Sequence, residues 1–113
     1  MALKRSHTAT IARNEAWAGE VATEPYEAGW AREAIFFVRA LEAGGALAGA
    51  AAQVQISPDG IHWVDEGTTF GLPDRSGALT FGRVAQFGGW LRLRSRVPEG
   101  ATLRVIAAIT LKE

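Results

Sequence analysis

Two histidines, a row of arginines and four tryptophans are the side chains of this 113-residue chain whose types could do chemistry. Acid–base catalysis needs a base held within reach of a second titratable group. His7 stands near the start of the chain, and His62 stands beside Trp63, three residues before Asp65. A strand places residues three apart on opposite faces, so His62 and Asp65 do not form a dyad through nearness in sequence. Two His and no Cys leave too few ligands for a zinc centre, with carboxylates the remaining candidates for a hard cation. The run Ser57-Pro58-Asp59-Gly60 has neither calcium-loop nor phosphate-loop spacing, and the glycine-rich stretch from Ala43 to Ala52 lacks the Lys and Ser or Thr of a phosphate cradle. The expectation is a protein that is not an enzyme, with no catalytic residue, no metal ligand and no cofactor.

Binding chemistry has more to work with. Arg92, Arg94 and Arg96 alternate with Leu91, Leu93, Ser95 and Val97, and Arg104 follows across a turn. Arginines in a row on one face repel unless something negative lies opposite. Glu20, Glu24, Glu27 and Glu33 are the candidates, within the subunit or across a subunit interface. From Met1 to Glu66 there are five basic against nine acidic residues, a net of −4, and from Gly67 to Glu113 seven against three, a net of +4. Complementary halves suit strands that pair within one subunit or faces that meet between copies. A chain neutral overall lacks the broad positive excess that phosphate backbones select, so nucleic acid is not an expected partner. Exposed aromatics among Trp17, Tyr26, Trp30, Trp63 and Trp90 could stack on sugar rings, which keeps a carbohydrate- or surface-binding module as the alternative. Trp63 and Trp90 adjoin turns, where a Trp often seals a core. Trp63, on the Ile61 face of the strand after the turn, is expected to be buried. Trp17 and Trp30 flank the irregular "TEPYEAGW" and are expected at a surface or interface.

These side chains must be positioned by strands. Val54-Gln55-Ile56 alternates with period two, Ser57 to Gly60 has the chemistry of a tight turn, and the chain reverses into a hairpin. "SHTATIA" reads as a first strand, Asn14-Glu15 as a turn, and "WAGEVAT" as a second strand. In "AREAIFFVRALE" Ala34, Phe36, Val38 and Ala40 share one face and Ile35, Phe37 and Leu41 the other, so both faces call for cover. "ALAGAAAQ" and "ALTFGRVAQF" supply further strands. The cleanest pattern is the last: Leu103, Val105, Ala107, Ile109 and Leu111 form an unbroken apolar face, paired across the Pro98-Glu99-Gly100 turn with the arginine strand as antiparallel neighbours in one sheet. Seven or eight short antiparallel strands with frequent turn signals predict an all-β domain, a single β-sandwich or jelly-roll-like barrel over residues 1–113, with residues 1–30 an arm or irregular lead-in. "MALKRSHTATIARNEAW" has no apolar run of signal-peptide length, and no segment approaches the ~20 apolar residues of a membrane span. The expected location is the cytoplasm or an assembled particle, with no membrane partner.

The order "strand, ISPDG, Trp63, strand, GGWLRLR, turn, ATLRVIAAITLK" over Ala31 to Glu113 resembles small β-sandwich structural proteins of tailed phages and related particle-forming systems, of the capsid, decoration or tail type. The resemblance implies no catalytic residue. It implies a structural protein that self-assembles or decorates a particle, with copies of itself or shell proteins as partners and small-molecule or sugar ligands unexpected. The residues expected at such an interface are Tyr26, Trp30, Ile35, Phe37, Leu41, Arg92, Arg94 and Arg96.

Overall fold

The computed structural model describes residues 4–113. Alternating apolar residues, broken by glycine, proline and asparagine, give nine strands and no helix among them: β1 (Ser6–Ala16), β2 (Gly19–Ala22), β3 (Tyr26–Glu27), β4 (Glu33–Gly44), β5 (Ala51–Ser57), β6 (Val64–Gly71), β7 (Leu79–Ala85), β8 (Trp90–Val97) and β9 (Thr102–Lys112). They form two antiparallel sheets. Sheet I runs β1-β9-β4-β7, and sheet II runs β2-β8-β5-β6 with β3 also on β8. The architecture is the all-β sandwich that the alternation predicts.

The core lies between the inward rows of the central strands. Phe36, Val38, Leu103, Val105, Ile109 and Leu111 from sheet I meet Val54, Leu91 and Leu93 from sheet II, all almost fully buried. Each buried aliphatic or aromatic side chain contributes about 1.5–3 kcal/mol relative to exposure. The buried hydroxyls of Ser95 and Thr23 bond to backbone groups of neighbouring strands. Ser95 donates its hydroxyl to Ala51 O at 2.7 Å, and Thr23 Oγ1 accepts the Leu93 N–H at 2.9 Å.

Several sequence expectations are corrected. β8 and β9 belong to different sheets, so the Pro98–Gly100 turn is a corner between layers rather than a hairpin within one. Asn14 is inside β1, where a positive φ of 52° accompanies a bulge between Ala12 and Glu15 opposite β9. Trp17, expected at a surface, is 4% exposed and its backbone N–H donates to Leu103 O. The described part of the first thirty residues is woven into both sheets through β1, β2 and β3; Met1 to Leu3 lie outside the described residues. "ALAGAAAQ" becomes a strand only from Ala51, the preceding turn being pinned by buried Leu47.

The hairpin of β5 and β6 forms as predicted, with Ala51 opposite Gly71 and Ile56 opposite Val64. Its turn is longer than expected. Asp59 Oδ1 accepts the N–H groups of Ile61 and His62 at 2.9 and 2.8 Å, and Ser57 Oγ accepts those of Asp59 and Gly60. Residues 58–63 are thereby held as a loop and β6 begins at Val64. Ile61 is 74% exposed, and Trp63 is half-buried on the outer face of sheet II rather than in the core.

Candidate interaction surfaces

Each sheet has an outer face, and the two differ in character. On sheet II the outward row of β8 is Arg92, Arg94 and Arg96, beside Gln53 and Gln55 of β5 and Glu20 of β2. Pairing of β2 with β8 sets Glu20 against Arg96. Its carboxylate lies 2.9 Å from Arg94 Nη2 and 3.9 Å from Arg96 Nη1. The arginine row is therefore met within the subunit by one of the four glutamates the sequence offered. All three groups are solvent-exposed, so these pairs fix orientation and contribute at most about 1 kcal/mol each. Beside them is an open cleft of about 620 Å³, lined by Glu20, Gln53, Arg94, Arg96, Ala48 and Pro98.

Arg92 has different surroundings. Its Nε donates to Gln55 Oε1 at 2.8 Å, and its guanidinium carbon lies 4.3 Å from the centroid of the Trp63 ring. Gln55 is only 5% exposed, and its Nε2 donates to Asp65 Oδ1 at 2.9 Å. The turn places Trp63 there: Gly60, with φ of 78°, lies against the indole of Trp90, where a Cβ would meet ring atoms at 3.2–3.4 Å. The loop thus folds back over the outer face of sheet II. Burial, with Arg94 nearby, lowers the Arg92 pKa from its ordinary value, yet a guanidinium stays charged across the physiological range.

At the tip of the turn, the Asp59 carboxyl is held well below the usual carboxylate range. The backbone N–H of His62 is the largest cause, followed by the His62 side chain and the backbone N–H of Ile61. The His62 Nδ1 lies 2.6 Å from Asp59 Oδ2. His62 is thus engaged with Asp59, and Asp65 with Gln55.

The outer face of sheet I is apolar at its centre. Phe37 is paired laterally with Phe81 of β7 and Ala108 of β9, and the Phe37 and Phe81 ring centroids are 6.3 Å apart. Along β4 it is flanked by Ile35 and by Arg39, which pairs with Leu79 and Ile106. Ile35, Phe37 and Leu41 are half-buried, while Leu79 is 58% and Phe81 47% exposed. The cover expected over this side of β4 is supplied only in part by the chain itself. β7 is also the edge of the sheet. Ala40 N–H donates to Ala78 O and Gln86 N–H to Arg32 O, so antiparallel alternation turns the backbone groups of Leu79, Phe81, Arg83 and Ala85 toward the open edge.

The eight residues expected at an interface therefore fall in three places. Ile35, Phe37 and Leu41 share sheet I; Arg92, Arg94 and Arg96 share sheet II. Tyr26 and Trp30 join neither group. Tyr26 pairs with Leu91, Trp30 lies under the Arg5 guanidinium, and both pack on the core while Ala28 and Ala31 beside them are buried. "TEPYEAGW" is a crossing between sheets, not a free arm. The sequence reading missed Leu79, Phe81, Ile106 and Ala108 on sheet I, and Gln55 and Asp65 on sheet II. The alternation Leu79-Phe81-Arg83 carried a signal for the first group.

Among the described residues no group of three or more His, Cys, Asp or Glu is placed to hold a metal ion, and no helix is long and apolar enough to cross a membrane. No family model and no curated protein matches the sequence. The fold is similar to the crystal structure of the SPBc2 prophage-derived protein YomS, with a TM-score of 0.60 at 10% identity over 100% of this chain and 97% of that one. At that identity the likeness is one of fold: this chain and YomS share a sandwich of nearly the same extent.

Proposed function

We propose that this chain is a non-enzymatic structural protein that self-assembles as a component of a phage-like particle, through the outer face of sheet I. The observation that carries the reading is the apolar patch of Leu79 and Phe81, exposed on the edge strand, with half-buried Ile35 and Phe37 on its neighbour. Soluble chains rarely leave contiguous apolar surface uncovered unless a partner uses it. An edge strand with outward-turned backbone groups adds a second mode of contact. The phage-like setting is supported by the resemblance of the hairpin and closing strands, and by the fold shared with a prophage-derived protein. The non-enzymatic reading draws on the commitment of polar groups to fold contacts: Asp59 with His62, Asp65 with Gln55, Glu20 with Arg94.

Sedimentation velocity over a concentration series, in low and high salt, tests this reading, with electron microscopy of the same samples. The expected result is a dimer or larger species that persists in high salt, because an apolar contact is not screened. A wild type that stays monomeric at tens of micromolar in both conditions overturns self-assembly.

A further inference from the structure

Arg92 stands apart from the other arginines of this surface. Arg94 and Arg96 share Glu20. Arg92 is fixed by Gln55 at Nε and by Trp63 across its plane, and its two Nη atoms have no hydrogen-bond or ion-pair partner among the described residues. A guanidinium carries its donors in a rigid fork, and the edge formed by the terminal nitrogens matches the two oxygens of a carboxylate. Freezing the long side chain in advance removes much of the entropic cost of binding. Gln55 does the freezing. It is a buried amide whose nitrogen is spent on Asp65 and whose oxygen therefore has to face Arg92.

We propose that Arg92 is the anchor of a carboxylate-binding site on the outer face of sheet II, and that its ligand is an acidic side chain of a partner protein. Charge favours such a partner. Three arginines lie in the row with a single carboxylate, Glu20, in ion-pair reach of two of them, and Asp65 is engaged by Gln55. The same Glu20 disfavours a phosphate dianion, which would meet a fixed negative charge beside the row. A small carboxylic acid would gain little beyond the fork, because the site is a sheet face rather than an enclosing cavity. A protein segment brings flanking side chains, and Ile61, 74% exposed two residues before Trp63 in the chain, offers them apolar contact. The arrangement of an arginine stacked on a tryptophan is typical of residues that dominate interfaces. The site is on the sheet opposite the apolar face and does not depend on self-assembly.

One group of the chain itself competes for the position. Thr23 pairs with Leu93 and Tyr26 with Leu91, so Glu24 and Pro25 span the stretch across from Arg92. Glu24 makes no ion pair there in the structure.

The test is NMR titration of the intact protein, following the Arg92 Nε–H and Trp63 indole N–H signals. The probes are a capped peptide with one glutamate between two leucines, the same peptide with glutamine, acetate, and inorganic phosphate. The glutamate peptide is expected to shift both signals saturably and more tightly than acetate, with the glutamine peptide inert and phosphate weaker. Arg92→Lys keeps the charge and loses the fork. It should weaken binding by about an order of magnitude, the loss of one charge-assisted hydrogen bond. Gln55→Met keeps the guanidinium but removes the acceptor that holds its Nε, so binding should weaken, as a positioning role requires, and unchanged affinity would refute that role. Spectra of both variants report whether the fold is intact. No saturable shift, equal binding of the glutamine peptide, tighter binding of phosphate, or unchanged affinity in Arg92→Lys would each overturn the proposal. So would binding that appears only in Glu24→Gln, since Glu24 would then be the carboxylate that fills the fork.

Discussion

Phe81→Ser is the sharpest perturbation of the proposed assembly, because it removes apolar surface from the open face without entering the core. Phe81 is 47% exposed. A phenylalanine offers about 200 Å² to bury, so roughly 90 Å² is left for a partner to cover. At about 25 cal/mol per Å² that area is worth about 2 kcal/mol. In a two-fold contact each residue counts twice, giving about 4–5 kcal/mol, or about three decades in Kd. The figure is an upper bound, since interface area converts incompletely into affinity. Within the subunit the substitution loses the tilted contact with Phe37 at 6.3 Å and the Arg83 guanidinium 4.9 Å above the ring. Contacts of that kind are worth about 1 kcal/mol, so the melting temperature should fall by only a few degrees. Sedimentation velocity of wild type and variant over the same concentrations, beside thermal melts, reads both quantities. Association unchanged in a folded variant refutes the face as the contact, and a collapse in Tm matching the loss of association refutes the claim that Phe81 acts outside the core.

Three further outcomes follow from the geometry. Gly82→Ala sets a Cβ against the Phe70 ring where β7 and β6 approach; overpacking of this kind costs about 1–3 kcal/mol, and denaturant unfolding should show it, with Phe70→Leu in the same chain restoring part of the loss. Trp17→Ala should cost about 3–5 kcal/mol and Trp63→Ala clearly less, because Trp17 is 4% exposed and Trp63 is half-buried; equal losses by calorimetry would contradict the placement of Trp63 on the outer face. The lowered pKa of Asp59 means that its charged form stabilises the fold above the ordinary Asp pKa of about 4 and that this contribution is lost as pH falls below it. The Tm difference between wild type and Asp59→Asn should therefore be widest above about pH 5 and shrink in more acid solution, and a pH-independent difference would contradict it.

What the sequence revealed depended on whether the governing interaction was local. Eleven residues of period two made the inner face of β9 legible, and Leu103 to Leu111 are buried as read. The neighbour of β9 was not legible, because alternation states which face is buried and not which strand lies alongside. A three-residue turn after Val97 serves a hairpin or a corner between sheets equally well. Pro58, Asp59 and Gly60 announced the β5–β6 reversal through their own backbone preferences. The parity of the returning strand failed because the Asp59 carboxylate captured two further N–H groups and delayed β6 to Val64. That shift moved Trp63 from the expected core to the side of Arg92. The arginine row was visible as alternation, whereas its partner Glu20 depended on pairing across more than seventy residues. The apolar outer face was half visible in β4. Its other half, Leu79 and Phe81, gained meaning only when β7 was seen to flank β4 at the sheet edge.

The placement of the two surfaces on opposite sides of the sandwich restricts the assembly that fits both proposals. If sheet I of one copy met sheet II of the next, Phe37 and Phe81 would lie against Arg94, Arg96 and Glu20. Those charges would lose water without gaining partners, a cost that exposed ion pairs cannot offset. Such a contact is also heterologous and leaves one apolar face open at every end of the chain of copies. Sheet I against sheet I sets one apolar centre against the other, with Arg39 and Arg83 at its margin, and closes after two copies. Four strands at about 4.8 Å spacing and about nine residues of length at about 3.4 Å give a footprint near 600 Å² per copy, close to the scale of a standard interface once surface relief is counted. The closed pair then presents two sheet II faces outward, four layers about 10 Å apart, with the Arg92 sites about 30 Å from one another on opposite sides. A partner carrying acidic segments on two neighbouring subunits could be bridged by such a pair but not by a monomer. Phe81→Ser should therefore leave the affinity of Arg92 for a single glutamate peptide unchanged, while abolishing any gain from linking two such peptides on a spacer long enough to reach both sites. A linked peptide that binds the dissociated variant as tightly as the wild type would separate the two surfaces and exclude the bridging arrangement.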